Sequence, residues 1–256
     1  MKKLNVAVMS SIFYQKGQNK KRDRILKVLD ILKLYSGYDF DLFLLDDGTN
    51  DDNLDIGIQN YKTSDYCKSI TYVKRTDNKG ISKSHNELLE LIPNNKYDYI
   101  CTFDLDVYPP PDFLKKCIEV LEDSPVVSIC GVLVEEYLDS NIQNGLYKCT
   151  NSNTFYTLMY EDNPNAMIGG ACLTLRGKQF KDFRYDERLV THHTDAYLIY
   201  YFRATHGKVC AILDRGSHFN DNFESMDYIL LKTKRHNDTK PLALEIISQI
   251  PITAKY

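Results

Sequence analysis

Residues 97–113 read YDYICTFDLDVYPPPDF and predict a strand that ends in two acidic side chains. The first part, Tyr97–Phe103, is apolar and aromatic, as in a buried strand. Asp104 and Asp106 follow directly, and the prolines at 109–111 prevent a helix or a central strand from continuing. The strand would therefore deliver two carboxylates to its C-terminal edge, where open α/β sheets bind their ligands.

This Asp-x-Asp pair is a candidate metal site. Neighbouring carboxylates repel each other, and a cation between them offsets the repulsion. Oxygen ligands suit Mg²⁺ or Mn²⁺, whose coordination is often completed by substrate phosphates. Asp104 and Asp106 are thus predicted to bind Mn²⁺ or Mg²⁺. A solvated turn after a strand is the alternative, because the pattern is short.

The composition is that of an ordinary globular protein, with 43% hydrophobic and 26% charged residues among 256. A formal net charge of −3 gives no indication of general nucleic-acid or membrane binding. No apolar run approaches the roughly 20 residues that cross a bilayer, so no transmembrane segment is expected. The start, MKKLNVAVMSS, predicts a first strand and not a signal peptide. Seven cysteines without a C-x-x-C pair favour a reducing compartment, and we expect a cytoplasmic protein.

Predicted strands and helices alternate along the first half of the chain, which indicates a mostly parallel sheet. The predicted strands are Leu4–Ser10, Phe40–Leu45, Ile70–Lys74 and Tyr97–Phe103. The predicted helices between them are Asp23–Tyr35 and Ser82–Leu91, and the order is β-α-β-β-α-β. The acidic stretch at 46–51, DDGTND, is predicted to be a turn.

The second half is predicted to be less regular. It contains a helix capped by Asp112, strands at Val126–Val134, Cys172–Leu175 and Val209–Leu213, and a helix at Thr194–Thr205 ended by Gly207. Residues Glu135–Asn165 lack a clear period and predict a loop-rich insertion on the acceptor side. The tail beyond Asn222 predicts one or two helices, with Pro241 between them.

Several short motifs occur in one order along the chain. DDGTND follows the second strand, NKGISKSHNELL opens the helix before the acidic strand, and DLD ends that strand. IGGA, the helix start at Asp195 and the lone His218 come after the insertion. This order resembles that of the inverting nucleotide-sugar glycosyltransferases of family 2. DDGTND is similar to the DDGS-T-D turn of that family, and NKGISKSHNELL is similar to its N-x-G-x-x-x-x-x-N helix start.

The resemblance covers roughly residues 4–215 and implies the fold and the reaction. It implies an α/β, GT-A (Rossmann-like) fold, with a mostly parallel central sheet flanked by helices, an acceptor-side insertion and a C-terminal helical tail. One domain would span residues 1–256: a nucleotide-binding half at about 1–110, an acceptor-binding half at about 111–215 and a tail at 216–256. The implied activity is metal-dependent sugar transfer, with inversion, from a nucleoside-diphosphate sugar to a glycan or other hydroxyl acceptor. A UDP-sugar donor and a hexosyltransferase are favoured.

Two positions depart from the family pattern. The turn after the first strand is usually of the Pro-Thr-Tyr-Asn type, whereas this chain has Ser10-Ser11-Ile12-Phe13-Tyr14. Tyr14 or Phe13 could still stack on a base. The Glu-Asp pair before the catalytic helix is here Thr194-Asp195, so only the second acid is present.

The donor-binding candidates lie mostly in the first half. Asp47 could accept hydrogen bonds from a base edge or a ribose hydroxyl, and Asp46 is a second candidate. Asn78 and Gly80 could shape a turn against the nucleotide, with Lys83 near the diphosphate. Solvated loops and helix faces are the alternative for all of these residues.

Asp104 is also expected to face the ribose. The catalytic candidates lie in the second half of the chain. Gly169 and Gly170 would allow the backbone to approach the sugar closely. Asp195, at a helix start where negative charge is favoured, is the candidate general base. His218 is the candidate third metal ligand.

Two other functions compete with this interpretation. A nucleotidyltransferase that makes activated sugars also uses a parallel sheet and paired acids. It would be expected to carry a glycine-rich, basic phosphate loop, but residues 10–18 contain only Gly17. A non-catalytic carbohydrate- or nucleotide-binding domain of the same fold is the second alternative, and the presence of both Asp104 and Asp106 argues against it.

Overall fold

The computed structural model describes residues 3–15, 17–61, 66–134, 145–159, 168, 170–218 and 226–254. In this part of the chain the strands are β1 Val6–Ile12, β2 Phe40–Asp46, β3 Cys67–Lys74, β4 Tyr99–Phe103, β5 Val107–Tyr108, β6 Val127–Val134, β7 Leu146–Lys148, β8 Phe155–Leu158, β9 Cys172–Arg176 and β10 Lys208–His218. The helices are α1 Asn19–Tyr35, α2 Asp52–Gln59, α3 Ile81–Leu91, α4 Phe113–Asp123, α5 Gly177–Asp182, α6 Thr194–Thr205 and α7 Met226–Ser248.

One sheet joins all ten strands, in the order β3-β2-β1-β4-β9-β6-β10-β8-β7, with β5 paired to β10. The first four strands of this order are parallel. Strands β5, β8 and β9 run against the direction of the others. The sheet is thus mostly parallel and flanked by helices, as expected. Because β1, β2 and β4 are parallel, their C-terminal ends meet at one edge.

Apolar side chains cover both faces of the sheet, since successive strand residues point to opposite sides. One layer contains Val8 of β1 together with Val28 and Leu29 of α1. The other contains Met9, the next residue of β1, together with Leu88 of α3 and Phe202 of α6. This two-sided burial explains why the strands read as continuous apolar runs.

Some element predictions were wrong. Helix α2 follows the acidic turn directly, so the order is β-α-β-α-β-α-β: Asp51 caps it by accepting the Asn53 N–H, and Leu54 and Ile58 bury one face. Helix α5 was also missed. The side chain of Asp112 makes no capping hydrogen bond to α4, because its backbone is left-handed with φ 58°.

Two further details of the helices differ from prediction. Helix α7 is continuous through Pro241 instead of being divided by it. Gly207 follows the C-cap residue of α6, which is His206, and donates its N–H to Phe202. No described helix is both long enough and apolar enough to span a membrane.

Candidate active site

Three carboxylates from two elements lie together at the C-terminal edge of the sheet. Asp104 follows β4 and donates its backbone N–H to the Ala171 carbonyl, 2.8 Å away. Asp106 lies in the turn before β5, and Asp195 lies in the first turn of α6. Burial and, after it, the negative charges of Asp106 and Asp195 raise the pKa of Asp104 well above its usual range. The negative charges of Asp106 and Asp195 therefore both act on Asp104.

The acidic cluster suits a divalent cation, because a cation relieves the repulsion that raises the pKa of Asp104. Among the described residues, no group of three or more His, Cys, Asp or Glu is already placed to hold a metal ion. The backbone of His218, at the end of β10, pairs with that of Val107, the residue after Asp106. The fold therefore brings the third predicted ligand to the same edge, although its side chain lies outside the described part.

The glycine turn packs directly against the candidate base. A Cβ atom built on Gly170 would lie 2.6 Å from the Cβ and 3.1 Å from Oδ2 of Asp195. Any side chain at residue 170 would therefore displace the carboxylate. Gly169 lies outside the described residues, so its predicted contact with the sugar stays a prediction.

The predicted donor residue Asp47 binds a neighbouring loop. Its side chain is buried and accepts hydrogen bonds from the backbone N–H of Lys79 and of Gly80, both at 2.9 Å. Its Oδ1 also accepts from Arg75 Nη1 at 2.7 Å. Asp47 therefore joins the turn after β2 to the turn after β3.

The neighbouring Asp46 is fully buried and closes its own turn by accepting the Thr49 N–H at 2.8 Å. Burial raises the pKa of Asp46, and the hydrogen bond from Thr49 opposes that effect. Gly48, with φ 87°, lets this turn approach Asp77 and Asn78, because a Cβ there would lie 2.6 Å from the Asn78 nitrogen. The two turns are therefore in close backbone contact, next to the predicted nucleotide site.

The remaining donor candidates differ in exposure. Tyr14 is only 2% exposed and donates a 2.8 Å hydrogen bond to Asp51, so its ring is not available for stacking on a base, contrary to expectation. Phe13, the other candidate for stacking on a base, is 51% exposed. Asn78 is exposed and Lys83 is half-buried, whereas Gly80 is buried with φ 93°.

The comparisons with known proteins decide the family. The profile of Glycosyl transferase family 2 matches residues 14–184, which is more than half of the chain. The chain belongs to glycosyl transferase family 2. A search among curated protein sequences gave no match.

Solved structures with a similar fold include a mannosyltransferase. S. aureus TarS 1-349 is 14% identical, with a TM-score of 0.56 over 84% of this glycosyltransferase and 60% of that chain. The mannosyltransferase PcManGT from Pyrobaculum calidifontis, in complex with GDP-Man and Mn²⁺, is 12% identical, with a TM-score of 0.62 over 90% of this chain and 60% of that chain. TarS 1-349 in complex with UDP is 13% identical, with a TM-score of 0.56 over 96% of this chain and 70% of that chain. The chain spans 60% of the length of TarS and of PcManGT in the first two comparisons.

Arg75 contacts the candidate donor residue Asp47, and the sequence patterns did not indicate it. Its side chain is 9% exposed and forms ion pairs with Asp47 and Glu87. It also donates to Ser84 Oγ at 3.2 Å, at the start of α3. Arg75 thus fixes the turn after β3 to both the acidic turn and α3.

Tyr185 and His85 form a second group that the sequence did not indicate. Burial, and then the negative charges of Asp104 and Asp195, raise the pKa of Tyr185. The His85 ring packs against it at 5.0 Å, and burial lowers the pKa of His85 to about 4, so this imidazole is neutral. Asn86 holds the backbone of Tyr185 through two hydrogen bonds, at 2.8 and 3.0 Å. The motif NKGISKSHNELL, which contains Asn86, therefore also holds Tyr185 in place.

Proposed function

We propose that this glycosyltransferase moves a sugar from a nucleoside-diphosphate sugar to an acceptor hydroxyl, with inversion and with the help of Mn²⁺ or Mg²⁺. The observation that carries the proposal is the short stretch Gly170–Ala171, which contacts Asp195 on one side and accepts the Asp104 N–H on the other. Displacement of a diphosphate by a hydroxyl is promoted by a cation at the leaving group and by a base near the attacking hydroxyl. The two ligands and the candidate base would supply both.

Asp104 and Asp106 would hold the cation, with His218 as a third ligand. A bound cation would neutralise the charge that develops on the leaving diphosphate. The presence of Mn²⁺ with GDP-Man in PcManGT supports this role for a divalent ion. The raised pKa of Asp104 supports it independently, since that carboxylate lacks a positive partner among the charges that perturb it.

Asp195 would act as general base. The acceptor oxygen attacks the anomeric carbon, the bond from that carbon to the diphosphate oxygen breaks, and its electron pair leaves with the diphosphate. The acceptor proton passes to Asp195. A single displacement of this kind inverts the configuration at the anomeric carbon. Asp195 lies on a helix whose Leu198, Ile199 and Phe202 are buried, so its backbone is well supported.

The donor would bind over the two joined turns. Phe13 offers an exposed ring for the base, and Asn78 and Lys83 offer polar groups. Asp47 accepts three hydrogen bonds within these turns and so fixes the backbone of Lys79 and Gly80, over which the donor would lie. Complexes of relatives with GDP-Man and with UDP support a nucleotide-linked donor. A UDP-sugar and a hexosyl group remain our first candidates.

The acceptor would bind on the opposite side. Much of the predicted acceptor insertion, Glu135–Asn165, lies outside the described residues. Its described part contains β7 and β8, which form a hairpin at one end of the sheet. Acceptor contact through this segment stays a proposal.

Donor hydrolysis across a panel of nucleotide sugars, with and without Mn²⁺, tests this function. Release of a nucleoside diphosphate, dependent on Mn²⁺ and abolished by EDTA, is expected for one or two donors. Release of pyrophosphate from a nucleoside triphosphate and a sugar phosphate would instead identify a nucleotidyltransferase. Nucleotide binding without turnover of any donor or acceptor would favour a non-catalytic domain.

A further inference from the structure

The segment that leads into the catalytic helix is held on one side by the donor half. Ser82 Oγ donates to the Leu189 carbonyl at 2.6 Å, and the Ile81 N–H donates to the Val190 carbonyl at 2.8 Å. A Cβ atom on Gly80 would lie 2.6 Å from the Val190 carbonyl oxygen, so the two backbones are in contact. The start of α3 therefore fixes residues 189–190 but not the residues closer to Asp195.

The other side of this segment is covered by the C-terminal helix α7. Leu189 is fully buried against Ala243 and Ile246 of that helix. Arg188 and Glu245 form a longer ion pair at 3.8 Å. Helix α7 therefore docks through a small apolar cluster on the segment that precedes the candidate base.

A pair of histidines extends this docking to the base itself. The rings of His193 and His236 have centroids 4.3 Å apart, and His193 Nε2 lies 3.1 Å from the His236 carbonyl oxygen. A carbonyl can only accept, so Nε2 of His193 carries the hydrogen. His193 is the N-cap residue of α6 and has a left-handed backbone, with φ 64°. Asp195 lies two residues further on.

The His236 carbonyl of α7 accepts two side-chain hydrogen bonds. A carbonyl oxygen has two lone pairs, so it can accept from outside its own helix. The donors are His193 Nε2 at 3.1 Å and the Thr239 hydroxyl at 3.2 Å. Desolvation, His193 and Lys240 lower the pKa of His236, against the effect of Asp195. The His236 ring is therefore neutral at pH 7 and packs on His193 without charge repulsion.

We propose that His193 is a positioning residue that couples the C-terminal helix to Asp195. Its hydrogen bond to the His236 carbonyl holds the left-handed turn from which α6, and with it the carboxylate, begins. The C-terminal helix then acts in sugar transfer without touching the donor. This inference rests on the proposed role of Asp195 as the general base.

Two substitutions of His193 distinguish an effect on the position of Asp195 from an effect on folding. Asn tolerates a left-handed backbone but is too short to reach the His236 carbonyl, so His193→Asn should lower kcat for transfer about ten-fold or more. Gln places its amide N–H near the position of Nε2, so His193→Gln should retain most of the transfer rate. Donor KM and the melting temperature should stay close to wild type in both variants.

Wild-type transfer in His193→Asn, or an equal loss of transfer in the Asn and Gln variants, would overturn the proposal. Absence of sugar transfer by the wild-type chain would contradict the proposed function itself, which is a distinguishable result.

Discussion

Gly170 and Asp195 are in direct contact, although they come from different parts of the chain: a Cβ atom on Gly170 would lie 2.6 Å from the Cβ of Asp195. The next residue, Ala171, accepts the N–H of Asp104 through its carbonyl at 2.8 Å. One short backbone stretch therefore touches the candidate base and also holds the start of the acidic turn. Its shape sets the spacing between the base and the predicted metal ligands.

Gly170→Ala should lower kcat for transfer by roughly 10- to 100-fold, because the new methyl group must push the Asp195 carboxylate out of place. Overpacking of this kind should cost about 1–3 kcal/mol of the free energy of unfolding. Steady-state kinetics and urea unfolding measure both effects. Gly57→Ala is the matched control, since the atoms nearest to its methyl group belong to the flexible Leu26 side chain, and it should leave kcat unchanged. An unchanged kcat in Gly170→Ala would show that the base tolerates displacement.

The acidic strand and the base helix could be predicted because local sequence encodes them. An apolar run followed by Asp104 and Asp106 is visible within ten residues, and α6 has the predicted bounds, Thr194–Thr205. Helix α2 was missed because its acids suggested a turn, although Asp51 as a cap was a readable signal. Strand alternation could also have shown that Tyr14, two residues after the buried Ile12, points inward.

Other site residues could not be predicted, because their partners are distant in sequence. Arg75 pairs with Asp47, 28 residues away, and no local period records that pairing. The Gly170 contact with Asp195 likewise depends on how β9 and α6 pack. Charge, burial and backbone contact between remote segments exist only in the folded chain, so short motifs identify the family but not these contacts.

Asp106→Asn should abolish activity and, with it, the response of turnover to divalent metal. The amide keeps the shape of the side chain but loses the charge that binds the cation. Its fold should be intact, since Asp106 is exposed. Donor hydrolysis measured against Mn²⁺ concentration tests this. Asp182→Asn, which alters another exposed carboxylate, is the control. Full turnover by Asp106→Asn at the same Mn²⁺ concentration would remove this residue from the metal site.

Asp104→Asn should stabilise the metal-free protein at neutral pH. The pKa of Asp104 is raised in the folded state, so the folded chain binds this proton more tightly than the unfolded chain does. The contribution of Asp104 to the free energy of unfolding therefore falls as pH rises from the ordinary value of 3.8 through the raised value. Asn does not titrate, and the advantage of the variant should grow over the same window.

Urea unfolding in EDTA at several pH values from about 4 to 8 measures this difference. Thermal unfolding should show the same difference, since each kcal/mol of the free energy of unfolding corresponds to about 2–4 °C in melting temperature for a protein of this size. Added Mn²⁺ should stabilise the wild type but not Asp104→Asn. A variant that is less stable than the wild type at every pH would show that Asp104 is not under electrostatic strain.

Arg75→Met should cost about 3–5 kcal/mol of the free energy of unfolding, because it leaves the buried Asp47 carboxylate without its cationic partner. Donor KM should rise as well, since the turn at Lys79 and Gly80 loses its support. Lys74→Met, which breaks the more exposed ion pair with Asp55, should cost about 1 kcal/mol or less. The double variant with Asp47→Asn should recover part of the loss; strict additivity would mean that the two side chains are not energetically coupled.

Asp195→Asn should lower kcat for transfer by about 10²–10⁴-fold, the usual contribution of a general base. The amide keeps the size of the side chain and can no longer accept the proton. Nucleotide Kd, measured by calorimetry, should barely change, because the donor is predicted to bind over the turns that contain Asp47 and Gly80. The other acids nearby are already engaged: Asp186 pairs with Arg188 at 2.7 Å, and Glu187 accepts from the Asn86 amide at 3.2 Å. Asp186→Asn and Glu187→Gln should therefore retain most of the transfer rate, and a near-wild-type kcat in Asp195→Asn would transfer the role of base to one of them.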